Sequence, residues 1–430
     1  MIRMISRQLW NQRRQNGWIF AELIIVYFFL WTVIDPIYVL TANLLIDPGY
    51  NSKNAYVIKM DRYDYPHINY NEALDNDTLC GKQFLQIARV IRDCPEVESF
   101  SISNTASFPN SLSWNSTYFN VDTIRLNAQC YSFVRLEGSN LFSTYGIKDA
   151  KTGEEMKIPD DCVAKNKCFI SEYTAQLLFG TTDVVGKKIY ENQDEQYGKE
   201  IAGVFKNYKH KIDEQPAPLL IFVSDYLRGR PSMHYNYSIV FRLKEKVNAS
   251  AFEERFKNEI SPQLSAGNFY CSGLESFEKL ADSQLEKSGI KNKLRLTYAL
   301  AGFALLCVFL GMVGTFWTRC NARKQEIGLM RSIGATYGGI CNQFMVEAWI
   351  LVSLATVITS PLVLHYLTQV GFANPTENAN PIYWQNQPVA HFCIVTMLTY
   401  GVLLATSLLG TYIPVHKAAK ILPAAALRDE

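Results

Sequence analysis

The 430-residue chain has no surplus of charge of either sign and no nucleotide-binding loop. Lysine and arginine number 42 and aspartate and glutamate 40, so bulk charge points to no nucleic-acid partner. An ATPase core needs G-x-x-x-x-G-K-[ST], whose backbone amides cradle phosphates. The Gly-Lys pairs here, Gly81-Lys82, Gly186-Lys187 and Gly198-Lys199, are not followed by Ser or Thr. H-E-x-x-H, G-x-S-x-G and the kinase set are missing too. No catalytic residue and no metal ligand set is therefore read. C-x-x-C is absent, which removes zinc-ribbon and thioredoxin-type readings. Proline is absent from 273 to 318, and lysine and arginine are absent from 371 to 388.

What is present is an uneven distribution of apolar residues. A membrane-spanning helix needs roughly 20 of them in a row. Four stretches qualify, at 18–40, 296–317, 340–367 and 389–413. The first follows Arg3, Arg7, Arg13 and Arg14, but it is long for a signal-peptide core and reads as an uncleaved anchor. Lys and Arg mark the cytoplasmic side. They gather in the first 17 residues, in the link at 319–339 and in the tail (Lys417, Lys420, Arg428), and they avoid the link at 369–388. Each loop gives the same orientation, with both termini inside and the long insert outside. Trp18, Trp317, Trp349, Tyr383 and Trp384 stand where interfacial aromatics are expected. Glu22 and Glu347 are intramembrane acids, read either as functional or, for Glu22, as snorkelling to the headgroups and, for Glu347, as interfacial or paired. His365 and His391 read as interface polar residues rather than metal ligands. Ala304, Cys307, Gly311 and Gly314 form a stripe of small residues that suits close helix packing.

The insert is polar, with short β runs at 55–60, 97–103, 131–136, 168–171, 200–205, 219–223 and 238–243. Helices are expected at 82–93, at 172–179 between Ser171 as N-cap and Gly180 as stop, and at 251–260 behind a Ser250-x-x-Glu253 capping box. The order is that of an α+β domain. Six of the ten cysteines lie in it, and the close pairs Cys80/Cys94 and Cys162/Cys168 are candidates for disulfides outside the cytoplasm. The proline-free run implies a charged stalk helix leading into the second span, with Gly289 as a candidate interruption.

The run ARKQEIGLMRSIGAT at 322–336 closely resembles the signature of the MacB/FtsX family of ABC-transporter permeases, R-x-x-E-I-G-x-x-R-x-x-G-A. Arg323, Glu326, Ile327, Gly328, Arg331, Gly334 and Ala335 match it, with Met330 where many relatives carry a small or aliphatic residue. The C-terminal PVHKAAKILPAAALRDE is similar to that family's ending through Pro423, Ala426, Leu427, Arg428 and Glu430. Looser echoes are IAGVFKNYKH at 201–210 and the run at 171–189, which resemble MacB-type periplasmic segments. Independently of the resemblance, Ile327, Met330 and Ile333 fall at helical spacing and give an apolar face for docking.

The resemblance implies an α-helical membrane protein with four transmembrane helices and a large α+β extracytoplasmic domain between the first and second. The expected divisions are a cytoplasmic segment at 1–17, the first span and start of a stalk at 18–46, and the external domain at 47–273. A stalk helix at 274–295 leads to the second span at 296–318. There follow the coupling segment at 319–339, the third span at 340–368, an outer loop at 369–388, the fourth span at 389–413 and a tail at 414–430. It also implies location in the bacterial inner membrane. The expected partners are a cytoplasmic ABC ATPase dimer, a second identical or homologous permease, lipid, and a periplasmic adaptor with an outer-membrane exit protein. ATP and Mg would be bound by the ATPase and no cofactor by this chain. Movement of the external domains would be driven by ATP and would export peptide, drug or lipoprotein cargo. The alternative is an FtsX-like regulator of an external partner such as a cell-wall hydrolase. A receptor or scaffold without an ATPase would need no coupling segment.

Overall fold

The structure, a computed structural model, describes residues 13–191, 198–224, 237–373 and 380–420. The tail residues Pro423, Ala426, Leu427, Arg428 and Glu430 lie outside them. In chain order the elements are α1 (Arg13–Leu45), β1 (Ala55–Arg62), α2 (Asp77–Arg92), β2 (Val97–Asn104), β3 (Ser116–Val121), β4 (Ile124–Val134), α3 (Leu141–Tyr145), β5 (Lys167–Ser171), α4 (Glu172–Phe179), β6 (Lys188–Glu191), β7 (Lys199–Phe205) and β8 (Leu219–Ser224). They continue with β9 (Tyr237–Leu243), α5 (Ala249–Arg255), β10 (Ser265–Ala266), β11 (Phe269–Ser276), α6 (Phe277–Lys287), α7 (Ile290–Ala322), α8 (Lys324–Ser332), α9 (Tyr337–Val370) and α10 (Pro388–Ala419). Two compact units result: 1–42 with 291–430, and 43–290.

The first unit is helical. The helices α1, α7, α9 and α10 are long and apolar enough to cross a membrane. Their shared core takes Tyr27 and Trp31 from α1, Val308, Met312 and Phe316 from α7, Phe344, Ala348, Val352 and Ala355 from α9, and Val395 and Leu403 from α10. On α7 the buried residues recur every fourth position, giving a narrow inner seam. Leu300, Phe303, Leu306 and Leu310 on the same helix are exposed. For a water-soluble helix that would be costly, whereas in lipid it is what composition requires.

The small-residue stripe divides between faces. Ala304 is buried in the seam. Gly311 lies against α1, where an added Cβ would fall 2.5 Å from Glu22 Oε1, while Gly314 has nothing near it. Cys307 is half-buried. A close approach that sequence pattern did not single out is at Gly410 of α10, where a Cβ would stand 2.9 Å from Phe309 O of α7. His391 corrects the interface expectation, since it is fully buried. Its Nε2 is 2.6 Å from Asp35 Oδ1 and its Nδ1 is 2.8 Å from Gln385 O. Asp35 Oδ2 also accepts from Ala373 N at 3.0 Å, so α1, α10 and the chain after α9 are clasped together. His365 is exposed.

The second unit is α+β. Its eleven strands run β10-β11-β1-β9-β2-β4-β3-β6-β7-β5-β8, and β8 pairs back onto β4. The last six strands therefore close into a small barrel, with β4–β8 and β5–β7 parallel and the rest antiparallel. The other strands form an open antiparallel sheet with β1 between β9 and β11. Ala55, Tyr56, Val57 and Ile58 of β1 are all buried, as a strand covered on both faces demands. One face is covered by Phe84, Ile87 and Ile91 of α2 and Phe252 of α5. The barrel interior holds Phe119, Leu126, Ile170, Ile189 and Leu220.

Helix α4 starts on Ser171, which accepts from Thr174 N, and stops at Gly180 with φ 68°, as the sequence indicates. Helix α5 departs from expectation. Its cap is Asn248, which accepts from Ala251 N, and Ser250 lies inside the helix. The stalk begins later than expected, because residues 274–276 belong to β11, and it is interrupted at the candidate Gly289, whose φ of 75° separates α6, ending at Lys287, from α7. A left-handed glycine ends one helix before the next begins. Among the described residues no disulfide joins Cys80 to Cys94 or Cys162 to Cys168. Cys80 Sγ lies 3.6 Å from Leu74 O and Cys94 Sγ 3.2 Å from Glu96 Oε2, while Cys162 and Cys168 are buried.

Candidate functional site

The signature run folds into the short helix α8 between α7 and α9. Nine residues make a rod of about 13 Å. Its start is fixed by charge. Arg323 stands between the two helices and is almost fully buried. Its Nε and Nη2 donate to Glu326 at 2.7 and 3.2 Å, a two-pronged contact over the first turn. Its Nη1 donates to Glu347 Oε1 of α9 at 3.1 Å. Arg319 Nη1 approaches Glu347 Oε2 at 3.8 Å. Glu347 is only 2% exposed, and a carboxylate so buried is sustained by paired charge. The structure shows this acid paired with Arg323 and Arg319. Arg319 and Arg323 also lie over the rings of Phe316 and Phe344 at 5.0 and 4.9 Å.

The end of α8 is fixed by backbone geometry. Gly334 N donates to Arg331 O and Ala335 N to Met330 O at 2.9 Å, the paired bonds of a Schellman stop. Gly334 has φ 99°, a conformation a side chain opposes. Thr336 then caps α9 by accepting from Gly339 N at 3.1 Å. The Gly-Ala-Thr of the signature is thus one stop followed directly by one start. Arg331 Nη1 donates to Ala419 O at 2.6 Å and ties α8 to the last turn of α10.

The matched residues accordingly serve to hold α8 in place. Ile327 and Gly328 are buried, and Ile327 belongs to the membrane-unit core. The expected docking face of Ile327, Met330 and Ile333 is corrected, because Ile327 points inward and Met330 is half-buried. The outward apolar residues are Leu329, 56% exposed, and Ile333, 78% exposed. Spacing alone marked one apolar face and left open which side of the helix the bundle covers. Arg319 and Glu347 are additional members of the site. Lys324, Gln325 and Glu326 complete a polar margin.

Residues 298–423 match the FtsX-like permease C-terminal family model, which includes α8 and the helices it is bound to. Among curated proteins, the macrolide export ATP-binding/permease protein MacB of Azoarcus sp. (strain BH72) is 27% identical over 40% of this chain and 24% of its own length. MacB of Vibrio parahaemolyticus is 23% identical over 78% of this chain and 47% of its own. The chain thus spans about a quarter to a half of the curated relatives it matches. Among solved structures, the periplasmic region of MacB from Actinobacillus actinomycetemcomitans aligns with 56% of this chain and 96% of its own, at 13% identity and a TM-score of 0.34. This chain is thus similar to FtsX-like permeases over residues 298–423 and to MacB proteins over up to 78% of its length.

Proposed function

We propose that this chain is a MacB-type permease subunit that converts ATP binding and hydrolysis on a separate ABC ATPase, which carries the ATP and Mg, into movement of its external unit. The observation that carries the reading is α8. It is locked by Arg323, Glu347 and Arg331 on its inner side, and it presents Leu329 and Ile333 outward beside Glu326. A rigid short helix with two exposed apolar anchors and a charged margin suits a groove on a soluble partner. In this reading α8 faces the cytoplasm, the chain lies in a bacterial inner membrane, and the external unit lies in the periplasm. A second permease completes the transporter. Substrate moves through the external domains and not across the bilayer, as peptide, drug or lipoprotein cargo, with an adaptor and an exit protein as further partners.

The test is co-purification of the tagged chain in detergent with its ATPase, comparing Leu329→Asp and Ile333→Asp with the parent. Each side chain faces outward, so either change should leave the fold intact and lower ATPase recovery at least tenfold. Undiminished recovery with both changes present would remove α8 from the contact. Failure of the parent to bring down any ABC ATPase would remove the permease reading itself. Glu326 is a poorer probe than these two, because reversing its charge also cuts its bonds to Arg323.

A further inference from the structure

The run IAGVFKNYKH does more than supply a strand. Its first half is β7, with Ile201, Val204 and Phe205 buried. Its second half is a loop along which the chain enters the external unit at Asn43. The two are stitched at successive points. Lys209 Nζ donates to Asn43 O at 2.5 Å and to Ile212 O at 3.3 Å. Lys209 N donates to Pro48 O at 2.9 Å. Asn43 Nδ2 returns a bond to Asp213 O at 2.8 Å. A Cβ on Gly49, at φ 75°, would collide with Asn207 O. The rings of Tyr50 and Tyr208 pack 5.3 Å apart.

Lys209 is completely buried. A buried ammonium is costly unless its donors are used. Asn43 O is among the last carbonyls of α1 and also accepts from Ile46 N at 3.0 Å; the C-terminal end of a helix favours a cation. Burial lowers the lysine pKa to about 8, against the pull of Asp213 on the loop and Asp47 on the incoming segment.

The same loop reaches the segment through which the chain leaves. Phe277 at the start of α6 packs edge-on to Tyr50 at 6.2 Å. Phe277, Leu280, Tyr50 and Tyr208 belong to one buried cluster. Gln284, further along α6, is buried as well.

We propose that Lys209 is a positioning residue, a pin that holds the incoming segment at 43–50 and the outgoing helix α6 to one loop, so that both connections of the external unit move together. Its importance for transmission rests on the permease reading above, while the pin itself does not. The experiment is hydrogen exchange on the full chain in detergent, comparing the parent with Lys209→Met, which keeps the apolar stem and deletes the charge. Amides at 43–46 and 277–284 should exchange at least tenfold faster, with those of β5 and β8 in the barrel unchanged. Asn43→Ala, a smaller change that removes the reciprocal bond to Asp213 O, should give the same pattern more weakly and decides the matter if Lys209→Met does not fold. The proposal is overturned if 277–284 is unaffected in the folded variants, or if the barrel strands loosen equally. Neither result depends on ATPase recovery, so the two readings fail separately.

Discussion

At the scale of single residues, burial decides what a polar group is doing. His210 adjoins Lys209 and is almost fully buried. Its Nε2 faces Ser113 O at 3.1 Å, which can only accept, so this nitrogen carries the proton and donates. Its Nδ1 then accepts the Tyr131 hydroxyl at 2.7 Å. Burial, with Lys211 beside it, lowers the pKa from 6.5 to about 4. The unfolded chain therefore binds a proton between about pH 6.5 and 4 that the folded chain refuses. Stability from this group is complete above 6.5 and is lost as pH falls toward 4, at most about 3 kcal/mol. Denaturant unfolding of the external unit from pH 7 to 4, for the parent and His210→Gln, checks this. The parent's extra loss across that window should vanish in the variant, and parallel curves would show that His210 is not the group responsible.

At the scale of elements, the sequence was most legible where local chemistry settles an end. Ser171 and Gly180 bound α4 as read, because a cap and a left-handed stop need only their neighbours. The cap of α5 was misplaced because Asn248 and Ser250 are both competent and only the backbone path chooses between them. Strands β6 and β10 escape a sequence reading because they are only four and two residues long, and β3 and β11 because their burial does not alternate strictly. The Asp35–His391 clasp joins residues 356 positions apart, a pairing no periodicity reports. The signature is legible as a unit, yet spacing does not tell that Ile327 is covered by the bundle while Leu329 and Ile333 face outward. Gly334 provides the test at this scale. An alanine there must accept φ 99°, at a cost of about 1 kcal/mol. Gly334→Ala should therefore expose the amides of Gly334 and Ala335 about fivefold more often by hydrogen exchange. ATPase recovery should fall with them. Unchanged protection would mean that the stop is held by the bonds from Arg323 and Arg331 rather than by the glycine.

At the scale of the molecule, the chain is two cores with different solvents in view. The membrane unit leaves leucine and phenylalanine outside, so no aqueous argument stabilises it alone. The external unit is the reverse, since residues 43–290 bury three apolar clusters, two of them rich in aromatic side chains, and close one end of their sheet into a barrel without an edge. An apolar core of that kind is self-sufficient. Residues 43–290 expressed alone should be soluble and should unfold in urea in one cooperative transition, followed by far-ultraviolet circular dichroism. The starting residue should matter. A fragment from 51 loses the Lys209 bonds to Asn43 O and Pro48 O and the Tyr50–Tyr208 contact. It should unfold at lower urea, since removing partners from a buried cation costs more than removing an exposed pair. Equal midpoints for the two fragments would mean that the incoming segment contributes nothing to the external core. The chain would then enter this unit through a loose tether, and movement of α1 could not be carried into it along that path.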